Sequence, residues 1–94
     1  MKKYNLLVDL CLKNPNLFNM LIEENKRQIK KWGIQIHDPF EWLAYTTEEL
    51  GELSRAISEY VYRGGLVSGV IMEAIHVATL SLKIAEMFLN EENN

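Results

Sequence analysis

The stretch Tyr60-Val61-Tyr62-Arg63-Gly64-Gly65-Leu66-Val67-Ser68 decides the fold. Two adjacent glycines separate two long segments of helical periodicity. Glycine ends helices because it enters the left-handed region without a Cβ clash. Before the glycines, Leu43, Thr47, Leu50, Ser54, Ile57 and Val61 recur every three or four residues. With Leu53, Tyr60 and Trp42 at the edge, they predict a broad buried arc. Glu48, Arg55 and Glu59 fall opposite, Glu49 lies at the boundary, and Glu52 is farther round on the polar side. After the glycines, apolar residues from Val67 to Ala85 cover every direction, which predicts a helix buried on all sides. The polar exceptions Glu73, His76 and Lys83, with Thr79 near them, share one face. Ionisable groups on a buried helix need partners or water.

Working outward, Asp38-Pro39 marks the start of the segment that ends at Tyr62 or Arg63: an N-cap, then proline at the first helical position. Upstream, Trp32 to His37 reads as an extended or irregular connector. A helix from Pro15 or Asn16 to Lys31 precedes it, stopped by Gly33. A further helix is expected over residues 3–12, ended by Lys13-Asn14-Pro15. The last helix should run from Val67 to Leu89 and fray into the polar tail Asn90-Glu91-Glu92-Asn93-Asn94. Strand-like alternation is absent, so the expected class is all-α: one domain over residues 1–94. It has an extra N-terminal helix within 1–14, a long antiparallel helical hairpin and a polar tail at 90–94.

Composition narrows the function. The 94 residues carry a net charge of −3, which argues against a dedicated nucleic-acid module with its basic face. Cys11 is the only cysteine, so no disulfide forms within one chain, and a reducing cytoplasm is the natural compartment. Leu66 to Leu82 approaches the length of a bilayer span, but Glu73 and His76 interrupt it and Lys83 ends it; the expectation is a soluble helix with no membrane partner. Apolar residues make up 48% of a chain with little interior. A homodimer or homotetramer is therefore expected to cover the surplus.

Glu48-Glu49-Leu50-Gly51-Glu52 puts Glu49 and Glu52 at neighbouring points of one helix, and Glu73 and His76 repeat the spacing on the next. Glu52 precedes Gly64 by about 12 residues and Glu73 follows it by about 9, so an antiparallel hairpin can bring the pairs to similar height. Crowded carboxylates repel, and a divalent cation relieves the repulsion; oxygen-rich ligands favour Mg²⁺ or Mn²⁺.

Glu48-Glu49-x-x-Glu52, 20 residues, then Glu73-x-x-His76 resembles the EExxE…ExxD signature of MazG-like, all-α nucleoside triphosphate pyrophosphohydrolases. The run Lys31-Trp32-Gly33-x-Gln35-x-His37-x-Pro39-Phe40-x-Trp42-Leu43-Ala44 resembles the segment leading into that motif in small, phage-type members. The likeness covers residues 27–86. It implies a MazG-like bundle completed by oligomerisation, a nucleoside triphosphate substrate, and cleavage between the α and β phosphates to monophosphate and pyrophosphate. Carried over, the metal ligands are Glu49, Glu52, Glu73 and His76, with Mg²⁺ as cofactor and Mn²⁺ as substitute. Glu48 or Glu49 would orient or deprotonate the attacking water. Trp32, Gln35, His37 and Lys83 are the candidates for substrate binding. Trp32 and Gln35 suit a nucleobase, and Lys83 suits phosphate.

His76 stands where the family pattern has Asp. Neutral imidazole in place of an anion implies weaker Mg²⁺ binding, a shift towards Mn²⁺ or other transition metals, or a His76 that does not touch the ion. Two other functions fit the same residues: a MazG-like module that binds nucleotide or metal with altered or lost turnover, and a purely structural helical oligomerisation protein.

Overall fold

The computed structural model describes residues 16–92, which form three helices: α1 (Asn16–Trp32), α2 (Pro39–Arg63) and α3 (Val67–Glu92). The helix expected over residues 3–12, and Cys11 within it, lie outside the described residues. No strand occurs among the described residues.

Each boundary has a local cause. Gly33 takes φ 74° after α1, and its N–H donates to the Ile29 carbonyl at 2.7 Å, closing the last turn. Asp38 caps α2 in a reciprocal box: its carboxylate accepts the Glu41 backbone N–H, and the Glu41 carboxylate accepts the Asp38 N–H. Pro39 takes the first helical position. At the far end Gly64 adopts φ 69°, and the Gly65 N–H donates to the Glu59 carbonyl at 2.9 Å. A Cβ on Gly65 would sit 3.0 Å from the Glu59 carbonyl carbon, so this second glycine allows the backbone to double back.

α2 and α3 form the main hairpin, and α1 packs chiefly against α3. Two expectations about burial are corrected. First, the arc of α2 through Leu43, Leu50, Ile57 and Val61 is exposed, and no residue of this helix is fully buried. The face turned to α3 is one residue round, through Trp42, Thr46, Glu49, Leu53 and Ala56. A shift of one residue is about 100° on a helix, so α2 carries an inner, partly polar face and an outer apolar one. Second, α3 is not buried all round: Thr79 and Leu80 are its buried residues, while Ile71, Met72, Leu82, Phe88 and Leu89 are exposed. Two partner helices cannot enclose a helix that is apolar in every direction. α3 also continues through Asn90-Glu91-Glu92, part of the expected polar tail. By length and composition alone it is apolar enough to cross a bilayer.

Candidate metal centre

The inner faces of the three helices bring five polar side chains to one level. Glu49 comes from α2, Glu73 and His76 from α3, and Glu24 and Gln28 from α1. His76 is the hub. Its Nδ1 lies 3.4 Å from Glu49 Oε2 and 3.3 Å from Glu73 Oε2, and its Nε2 lies 3.4 Å from Glu24 Oε1. One ligand atom each from Glu49, Glu73 and His76 fall within 4.8 Å of one another, a spacing that could hold one metal ion.

The electrostatics of the two sides differ. Burial pushes the Glu49 carboxyl above its ordinary range, and the adjacent Glu73 carboxylate pushes it the same way, against the pull of His76. Glu73 Oε2 is buried with no hydrogen-bond partner among the described residues. An unsatisfied carboxylate oxygen beside a second carboxylate is a costly arrangement. A divalent cation would relieve both penalties, so the donor set fits such an ion. For Glu24, burial works upward, yet hydrogen bonds from Arg27 and Gln28 and the charges of His76 and Arg27 outweigh it and hold the carboxyl low. Arg27 Nε and Nη2 each donate to Glu24 at 2.8 Å, and Gln28 Nε2 donates at 2.7 Å.

Of the residues singled out from sequence, Glu49, Glu73 and His76 converge. Glu52 does not join that group; it lies exposed one turn along α2. Glu48 is exposed and lines a half-open cleft of about 800 Å³ that runs from the acidic group towards the α1–α2 connector. Trp32, Gln35, His37 and Lys83 line the same cleft. Gln35 Oε1 lies 3.1 Å from His37 Nε2, and Glu41 Oε2 lies 3.3 Å from its Nδ1. The His37 ring meets Trp42 and Tyr45 edge-on, with centroids 4.9 and 5.2 Å apart. Lys83 donates to Gln28 Oε1 and stands 5.4 Å from the Trp42 ring centroid. Burial holds its amine below the ordinary lysine range, against the pull of Glu24. Lys31 stands over the Trp32 ring at 4.7 Å.

Sequence reasoning missed Glu24, Gln28 and Tyr45. A signal for the first two exists: Leu17, Leu21, Glu24 and Gln28 follow the i, i+4, i+7, i+11 spacing of one helix stripe. Two polar residues continuing the apolar stripe of an amphipathic helix mark a polar interior.

Compared with known families, curated proteins and solved structures, the chain matches none.

Proposed function

We propose that this chain is a metal-dependent nucleoside triphosphate pyrophosphohydrolase of the MazG-like type, cleaving the α–β phosphate bond to release pyrophosphate. The observation that carries the reading is the convergence of Glu49, Glu73 and His76 across the hairpin, at the head of a cleft with aromatic and basic walls. About 800 Å³ is within the usual range for a small-molecule site. The motif spacing that resembles the family and the meeting of its two halves are independent supports.

In this reading Glu49, Glu73 and His76 hold a divalent cation, Mg²⁺ or Mn²⁺, with Glu52 as a further acidic group close by. Such an ion supplies charge neutralisation at phosphate oxygens. The remaining work falls to the chain. Lys83, which lines the cleft from α3, binds the phosphate tail. Trp32, Gln35 and His37 bind and orient the base and sugar. Glu48, exposed on the cleft wall beside Glu49, orients the attacking water and accepts its proton. The edge-on aromatic group of His37, Trp42 and Tyr45 forms part of the cleft lining.

The open apolar faces of α2 and α3 belong, on this account, to a homodimer or homotetramer. The same reading puts the protein in the cytoplasm, where its substrates are. The test is pyrophosphate release from a set of nucleoside triphosphates with Mg²⁺ and with Mn²⁺, for the natural chain and for Glu49→Gln. Release in the natural chain and its loss in the variant supports the assignment. No release with either ion refutes it.

A further inference from the structure

Glu24 is the buried carboxylate that the pyrophosphohydrolase reading does not use. It retains only 9% of its exposure and is clamped on both oxygens, by Arg27 in two parallel hydrogen bonds and by Gln28 in a third. So held, it points one oxygen at the outer nitrogen of His76, 3.4 Å away. The inner nitrogen faces two carboxylates at once, Glu49 and Glu73.

An ionised carboxylate only accepts hydrogen bonds. Carboxylates face both ring nitrogens, so the tautomer follows from the ion: with a cation among Nδ1, Glu49 and Glu73, the ring's remaining proton sits on Nε2, the nitrogen facing Glu24. Nδ1 lies 3.4 Å from Glu49 Oε2 and 3.3 Å from the unpartnered Glu73 Oε2, a crowding of three donor atoms that a cation among them satisfies. Carboxylate, imidazole and metal in line is a recurrent way to fix which nitrogen binds and how the ring is aimed.

We propose that Glu24 is a positioning residue: its carboxylate accepts the Nε2–H of His76 and turns Nδ1 into the metal position, making a mixed oxygen and nitrogen site. This rests on the reading of Glu49, Glu73 and His76 as a metal centre. One nitrogen donor biases the site towards Mn²⁺ and later transition metals over Mg²⁺. Arg27 and Gln28 serve the same end, because their three hydrogen bonds fix where the Glu24 carboxylate sits beside α3.

The test uses the full chain with Mn²⁺ alone, without nucleotide. Pulsed electron paramagnetic resonance reports whether a ¹⁴N nucleus is bonded to Mn²⁺, and titration reports affinity for Mn²⁺ and for Mg²⁺. The natural chain should bind Mn²⁺ with a ¹⁴N coupling that His76→Gln removes. Glu24→Ala should weaken Mn²⁺ binding by about 10- to 100-fold, reduce the coupling and narrow the preference over Mg²⁺. Glu24→Gln, whose amide oxygen can still accept from Nε2, should recover much of the loss. A merely structural role for Glu24 would leave the coupling and the metal preference intact. Mn²⁺ bound without ¹⁴N coupling in the natural chain overturns the proposal and leaves the metal centre standing. So does an unchanged coupling and affinity in both Glu24 variants. Failure of the natural chain to bind Mn²⁺ overturns the metal centre itself, and the proposal with it.

Discussion

The Nδ1 of His76 lies 3.4 Å from Glu49 Oε2, so the imidazole of α3 meets the carboxylate of α2 across the hairpin. Glu73, one turn earlier on α3, reaches the same nitrogen at 3.3 Å. Two acidic side chains and one imidazole therefore share a space that each helix alone would give to apolar packing. The site stores electrostatic cost, and several measurements follow from that.

Replacing Glu49 by Gln should raise the melting temperature of the metal-free protein by a few degrees. Its carboxyl is pushed upward by burial and by Glu73, so its charged form opposes folding at neutral pH. The sign is that of a raised carboxyl: the penalty is present above the folded pKa and vanishes as pH falls through it. The same variant should lose the stabilisation by Mn²⁺. In the natural chain that stabilisation should amount to about 2.7 kcal/mol at a hundredfold excess over Kd, or roughly 10–20 °C in a domain of this size. Differential scanning calorimetry with and without Mn²⁺ reads both effects.

Asp38 controls a pH dependence of a different sign. The backbone N–H of Glu41 bonds its carboxylate at 2.9 Å and holds it below the ordinary range. Its contribution to stability is complete above the unfolded pKa of about 3.9, and is lost as pH falls through the lower folded value. Asp38→Asn keeps a capping oxygen but cannot titrate. Thermal melts of the two chains should therefore differ least in the acid range and most above pH 5.

Lys83→Met should raise KM for the triphosphate about tenfold, equivalent to about 1.4 kcal/mol, while leaving Mn²⁺ affinity within twofold. Lys83 lines the cleft and bonds Gln28, and it is not among the three side chains grouped at the acidic end. Steady-state kinetics and a separate metal titration distinguish the two quantities. An equal loss in both would move Lys83 from the phosphate end of the cleft into the support of the metal centre.

The outer face of α2 should be a contact between copies of this chain. Leu50 and Ile57 are both about half exposed, at 54% and 46%, although they belong to one apolar stripe. The natural chain should then be an oligomer that Ile57→Glu converts into a monomer with unchanged helix content, read by light scattering after size exclusion and by circular dichroism. A natural chain that is already monomeric at high micromolar concentration contradicts this part of the account.

Much of the hairpin could be read from the chain, because its signals are local. Asp38-Pro39 sets the start of α2, Gly64-Gly65 the end, and both lie where the spacing predicts. The Glu49, Glu73 and His76 group was legible for the same reason: helix pitch and a tight turn fix their heights. The inner face of α2 was not. Periodicity locates an apolar stripe, but it does not say whether that stripe meets the same chain or another. Leu43, Leu50 and Ile57 outscore Trp42, Thr46 and Glu49 in apolarity, yet the latter three face α3. Glu24 was missed because its partner is remote in sequence: a glutamate three residues before Arg27 reads as an ordinary surface pair until α1 is docked beside His76. Glu52 lies exposed because it is three residues past Glu49, about 60° off the inner face.

The central claim is tested most directly by the products. The chain is incubated with a nucleoside triphosphate and Mn²⁺, and phosphorus NMR follows the mixture. The account predicts pyrophosphate and nucleoside monophosphate rising together in equal amounts, with none formed by Glu49→Gln. Formation of diphosphate with inorganic phosphate, or an unchanged triphosphate across all bases with both Mn²⁺ and Mg²⁺, would contradict it.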